Sequence, residues 1–264
     1  MCLMNGAFVS SIVGYGNTYR QEMLGKYNSD SLLANWWLAL DFFLGRACFQ
    51  GRRDDISDRV YQAVIGVLLP LFGGTERTDL YQQERSRHWE TIRQHLEMRI
   101  GKGKIGKGRD VEMVLSTLDF IGDLPQLNIV GYSVLRIRSG KIREHYDELQ
   151  RGIVQVGPKI ASFYLRDVAS LYQLENFVSE EFAFCLQPID AWVRKLVKKI
   201  GLVGDKASDD EVREAIIALC REHSVSPAQF NQGSWYLGYF AFDLLLEMLL
   251  MKAGVTSSSS QSAC

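Results

Sequence analysis

Residues 149–167, LQRGIVQVGPKIASFYLRD, restrict the fold more than any other part of the chain. Ile153, Val154 and Val156 close one apolar segment. Gly157-Pro158-Lys159 interrupts it, and Ile160, Ala161, Phe163, Tyr164 and Leu165 open a second. Gly157 has no Cβ and permits a sharp turn. Pro158 suits the first turn of a helix, where an N–H has no intrahelical partner to lose. Ala161 is small enough for two helices to approach closely. The stretch therefore predicts helix, tight hairpin, helix. Amides at the start of the second helix form a site for an anion such as a nucleic-acid phosphate, with Lys159 one residue past the turn. The alternative is an ordinary helix corner with a surface lysine.

The rest of the chain reads mainly as helices. Residues 1–27 are mixed and dotted with Gly6, Gly14, Gly16 and Gly25, which predicts irregular or weakly helical structure. The cap residues Asn28-Ser29-Asp30-Ser31 precede one long buried helix over 32–50, with Trp36, Trp37, Phe42 and Phe43, ending near Gln50-Gly51. A polar break with Asp54 follows, then an apolar helix over 60–72 stopped by Gly73-Gly74. Residues 78–98 predict a polar helix. His88, His95 and Glu84 share a face there but lack the H-E-x-x-H spacing of a metal site, so the face reads as solvated. GKGKIG at 101–106 matches a dinucleotide fingerprint in form only, because no strand precedes it. It reads as a flexible basic loop, with Lys102, Lys104, Lys107 and Arg109 open to phosphates or to solvent. A short helix is expected over 110–120, and 129–138 stays open between strand and helix. Residues 169–186 read as partly helical. Pro188 opens a helix to about Ile200, Ser208 caps another through Arg221, and Ser226-Pro227 opens the last.

The expected fold class is all-α, with 264 residues enough for one large domain or two small lobes and a disordered tail expected at 256–264; the two-lobed domain over 1–255, with lobe boundaries near 60 and 190, is what the resemblance given below implies. Hydrophobic residues make up 47% of the 264, enough for a sizeable core. The net charge of −1 supplies no general basic field, so nucleic-acid binding would need a local basic face. Arg136, Arg138, Lys141 and Arg143, just before the hairpin, offer one. Five cysteines without a C-x-x-C fit free thiols in a reducing cytosol. No signal peptide is evident, and the most apolar run, 239–251, contains Asp243 and Glu247 and is too short and charged to span a membrane.

Val156-Gly157-Pro158-Lys159-Ile160-Ala161 and Pro188-Ile189-Asp190-Ala191-Trp192-Val193-Arg194 together resemble two motifs of the helix-hairpin-helix DNA glycosylase superfamily. The nearest types are bifunctional oxoguanine glycosylase/lyases, and the four-cysteine iron–sulfur loop of endonuclease III relatives is missing. Gln155 stands where most members have the first hairpin glycine, and Asp190 follows Lys159 after a longer gap than usual.

The resemblance implies two helical lobes with an active-site cleft and a helix-hairpin-helix motif. It implies Lys159 as nucleophile and Asp190 as the carboxylate that stabilises charge on the sugar. A lysine attacks only as the free amine, so its setting must disfavour the charged form. Gln50 would insert into the DNA stack beside the extruded base. Val154, Val156 and Gly157 of the hairpin, with Arg136, Arg138 and Lys141, would meet the DNA. Trp36, Trp192, Trp235 and Tyr236 would line the base pocket, with Trp37 as a further aromatic candidate. Core packing is the alternative for each ring taken singly. No cofactor is implied beyond a monovalent cation at the hairpin. The partner is double-stranded DNA carrying a damaged or modified base, met by a monomer without a membrane. Oxidised guanine and a base modified by a virus or host are both open. A non-catalytic DNA-binding protein of the same fold and a helical protein-interaction scaffold are the competing readings.

Overall fold

The computed structural model describes residues 6–73, 78–107 and 109–252, apart from the side chains of residues 241, 243, 244 and 250. Every regular element among them is helical. In chain order they are α1 (Gly6–Tyr19), which runs into a π-helical turn (Arg20–Leu24), α2 (Ser29–Ala34), α3 (Trp36–Ala47) and α4 (Asp54–Phe72). Next come α5 (Thr78–Ser86), α6 (Glu90–Ile100), α7 (Asp110–Gly122), α8 (Ile129–Arg138), α9 (Ile142–Gly152) and α10 (Pro158–Leu171). After 3-10 turns at Glu175–Phe177 and Glu180–Leu186 follow α11 (Ala191–Lys199), α12 (Asp209–Glu222) and α13 (Pro227–Lys252). The open assignment at 129–138 is thus helix. Gly74 and the tail expected at 256–264 lie outside the described residues. Among the described residues, no helix is long and apolar enough to cross a membrane.

Two helices expected to be continuous are broken. The Asn35 side chain accepts hydrogen bonds from the amides of Trp37 and Leu38 at 2.9 and 3.1 Å. Its extended backbone ends α2 and caps α3, so 32–50 is not one helix. The polar run 78–98 is divided where His88 and Trp89 both take positive φ, 55° and 57°. Tertiary packing holds this left-handed pair. The Trp89 ring is buried against Tyr81, and its indole N–H donates to Asp119 Oδ1 at 2.6 Å.

The chain divides into two compact units, Tyr27–Pro188 and the pair of segments Met1–Lys26 and Ile189–Cys264. The boundary expected near 60 is corrected: α4 lies wholly inside the larger unit, and the divisions fall at 26/27 and 188/189. In the larger unit, Trp36, Phe72, Tyr81 and Trp89 form an edge-packed aromatic group. A second centre lies where α3, α8, α9 and α10 meet. There Asp167, fully buried, is bonded by Arg46 Nε at 3.1 Å and Arg166 Nη2 at 2.9 Å.

In the smaller unit α1 lies along α13. One glycine from each helix is the reason, Gly16 of α1 and Gly233 of α13. A Cβ on Gly233 would lie 1.8 Å from Ile12 O, and one on Gly16 would lie 2.2 Å from Gln229 O. Glycine lets the two backbones touch. Phe8, Ile12, Gly16 and Tyr19 form the buried stripe of α1, and Phe8 and Ile12 share a core with Val193, Ile216, Phe230 and Leu237.

Candidate functional site

The α9–α10 connection is built differently from the expectation in one respect. Gly157 has extended backbone, φ −90° and ψ −173°, and caps α10. The left-handed residue is Gln155, with φ 64°. Space around a Cβ on Gly157 is open, whereas one on Gly152, at the end of α9, would lie 2.6 Å from Phe120 Cδ2. The missing Cβ therefore matters for packing at Gly152, and the turn's unusual backbone angle belongs to Gln155. Pro158 stands in the first turn of α10 as its missing N–H favours. Two hairpin residues expected to meet DNA have their amides engaged within the chain. Val154 N–H donates to Ser116 Oγ at 3.0 Å, and Val156 N–H to Ile153 O at 3.1 Å, with the Val156 side chain buried.

Lys159 is half-buried and its Nζ donates to Phe49 O at 3.4 Å, in the turn between α3 and α4. Asp54 opens α4 after the same turn. Burial raises the Asp54 carboxyl above its ordinary range, the Lys159 charge offsets part of that, and Asp55 adds to it. Gln50 does not end a helix and does not project. It lies in the turn, 8% exposed, with its Nε2 against Met113 Sδ, so its side chain is held in the core and not free to enter a base stack. The turn is anchored by Arg52. Its guanidinium donates to both Asp110 oxygens, at 2.6 and 3.2 Å, and to Cys48 O at 2.9 Å. This fork geometry suits a buried carboxylate. Burial pushes the Cys48 and Cys220 thiols up to about 12, which leaves them thiols and not nucleophiles.

The basic run before the hairpin is paired with acids in part. Arg136 is bonded by Glu148 at 2.8 Å with Glu144 at 3.7 Å, and Arg143 pairs with Asp147 at 2.9 Å. The acids of α9 neutralise these arginines; Arg138 and Lys141 are exposed. Sequence reasoning missed a polar chain beside them. Ser133 Oγ lies 2.8 Å from both Tyr164 Oη and His145 Nε2, and His145 Nδ1 lies 3.3 Å from Glu148 Oε2. These spacings resemble a nucleophile–base–acid relay. Ser133 and His145 are fully buried and Ser133 Oγ also bonds Ile129 O, so no substrate reaches the hydroxyl. The chain fastens α8, α9 and α10 together.

Asp190 belongs to the smaller unit. Its backbone is extended, and its Oδ1 accepts from Val193 N–H at 2.8 Å, so it caps α11 two residues after Pro188. Arg194 of the same motif donates to Ala207 O at 2.6 Å and pairs with Asp209, tying α11 to the start of α12. Three expected base-pocket rings share this unit. Trp192 packs on Gly238, whose added Cβ would lie 2.4 Å from Trp192 Cβ, and has Lys195 Nζ 5.5 Å from its ring. Trp235 stacks on Tyr239 at 4.9 Å. Tyr236 lies parallel to Tyr15 and donates to Glu22 at 2.8 Å. Trp36 is corrected: it lies in the larger unit, 5% exposed, edge-on to Phe72 and Tyr81 as part of the core. Trp37 is likewise buried.

Among the described residues, no group of three or more His, Cys, Asp or Glu could hold a metal ion. Comparison with protein-family models, curated proteins and solved structures finds no match.

Proposed function

We propose that the chain is a DNA glycosylase with abasic-site lyase activity, of the helix-hairpin-helix type, working as a monomer on duplex DNA that carries a damaged or modified base. The observation that carries this reading is the hairpin backbone. Its one left-handed residue, Gln155, stands where the family pattern has its first glycine, and Pro158-Lys159 then opens α10. Asp190 as the cap of α11 is a second support, because the motif needs its carboxylate at a helix start.

In this reading the base leaves the stack, which costs a few kcal/mol. The N-glycosidic bond breaks with its electron pair leaving on the base. Asp190 stabilises the positive charge left on the sugar. The free Lys159 amine bonds to C1′ and loses a proton; the C1′–O4′ bond then breaks, O4′ takes up a proton as the ring opens, and the protonated Schiff base remains. Loss of a proton from C2′ then expels the 3′ phosphate. Trp192, Trp235 and Tyr236 are the aromatic candidates for the base, and oxidised guanine is the first to try.

Borohydride trapping on abasic and oxoguanine duplexes tests the reading. The wild-type chain gives a covalent adduct and Lys159→Gln gives none. Asp190→Asn slows base release by about 100-fold or more but still traps a pre-formed abasic site. DNA binding with no wild-type adduct would mean a non-catalytic binding protein. Absence of salt-dependent binding would leave a helical scaffold.

A further inference from the structure

Residues 101–109, GKGKIGKGR, hold four basic residues and no acidic one. Such a run reads as a flexible loop, yet its end is fastened. Asp110, fully buried, accepts the Lys107 amide as well as the Arg52 guanidinium. Gly106 sits so close that a Cβ there would lie 2.2 Å from Ile100 O and 2.9 Å from Asp110 Oδ2. Lys107 Nζ is 3.5 Å from Gln50 O, and Lys159 Nζ is 3.4 Å from the neighbouring carbonyl, Phe49 O. One turn thus holds two lysine Nζ atoms on consecutive carbonyls, one from the basic loop and one from the hairpin helix. Lys102, Lys104 and Arg109 are exposed.

Gathering four cations on a short loop with no acid among them is unfavourable by Coulomb repulsion. Fastening the loop fixes some of that charge instead of letting it disperse. The carbonyls that hold the two amines carry no charge, and Asp54, at the start of α4, is an acid close enough to feel the Lys159 charge. A repeating anion offsets the repulsion, and a nucleic-acid backbone is one, with a charge on each phosphate. Arg136 and Arg143 beside the hairpin are paired with Glu144, Asp147 and Glu148, whereas the four cations of this loop have no acid within their own run. We infer that Lys102, Lys104, Lys107 and Arg109 grip the phosphate backbone of the DNA strand that Lys159 meets, with Lys107 the contact closest to that lysine. The inference rests on the DNA-directed reading above but needs no chemistry at the sugar.

The test is binding of a duplex with a tetrahydrofuran abasic analogue, followed by fluorescence anisotropy across KCl concentrations. Lys107→Gln should lower the magnitude of the log–log salt slope by about 0.9 and weaken binding roughly tenfold at low salt. Lys107→Arg should restore both, and Lys206→Gln, in the smaller unit, should change neither. A wild-type slope in Lys107→Gln and Lys104→Gln overturns the inference, as does absence of salt-dependent binding by the wild type. Normal slopes lost in Lys107→Gln with no borohydride adduct would uphold the loop and remove the lyase. An adduct with an unaltered slope would do the reverse.

Discussion

At Gln155 the hairpin is held in a conformation that a side chain resists. A residue with a Cβ in the left-handed region is disfavoured by about 1–2 kcal/mol. Gln155→Gly removes that strain and loses part of the gain to greater freedom of the unfolded chain. Its urea midpoint should rise, by up to about 1 kcal/mol in unfolding free energy. Gly157→Ala should stay within about 0.5 kcal/mol of wild type, because its backbone is extended and space around the added carbon is open. Gly152→Ala should lose about 1–3 kcal/mol as the new carbon meets Phe120. A Gly157→Ala variant less stable than Gly152→Ala would contradict the turn described here. The sequence shows glycines and a proline at this corner but not which residue takes the positive φ, because that depends on how α7 packs beneath it.

At the scale of elements, the join of α8, α9 and α10 sets a pH limit. Ser133 and Tyr164 both have the Ile129 carbonyl as an acceptor, at 2.7 and 3.0 Å, and His145 stands between Ser133 Oγ on its Nε2 and Glu148 on its Nδ1. Burial lowers the His145 pKa from its ordinary value. Between about pH 6.5 and that lowered value, the unfolded chain binds a proton that the folded chain does not. Stability therefore falls as pH falls below about 6.5, by at most about 1.4 kcal/mol per pH unit from this one group. The hydrogen bond from His145 lowers the Glu148 pKa, which adds a loss of the same sign below the ordinary carboxylate range. Urea unfolding at stepped pH should show the first limb in wild type and a flatter one in His145→Gln; equal slopes would refute it. None of this network is visible as a motif. Ser133 and His145 are twelve positions apart and on different helices, so only packing brings them together. Element ends were more legible, because caps are local. Asn28 before α2, Pro158 at the start of α10 and the reciprocal Ser208–Glu211 box at α12 all stand where side chains satisfy amides within three or four residues. Asn35 obeys the same rule and escaped notice inside an apolar run. The role of Lys107 needed Asp110 to be seen bonded to Arg52, across more than fifty residues.

For the whole molecule, the two compact units differ in how the chain builds them. Tyr27–Pro188 is continuous, while the other unit is made from the two ends of the described chain. The continuous unit encloses its own aromatic core and its own ionic ties, Arg46–Asp167 and Arg52–Asp110. It should fold alone, giving one cooperative urea transition with helical circular dichroism. The carboxy-terminal segment, 189–252, should not. Its longest helix, α13, buries Gly233 and Phe230 against α1, and without α1 that surface meets water. A peptide of residues 6–26 should restore its helicity on mixing, with saturation at one to one. Gly233→Leu should abolish the rescue, because the backbones then cannot approach within contact distance of Ile12 O. Full helicity of 189–252 without the peptide would show that α1 is dispensable. The consequence for chemistry is specific: the continuous unit carries Lys159 without Asp190. If the proposed division of labour holds, that unit alone should trap a pre-formed abasic site, and it should release no damaged base.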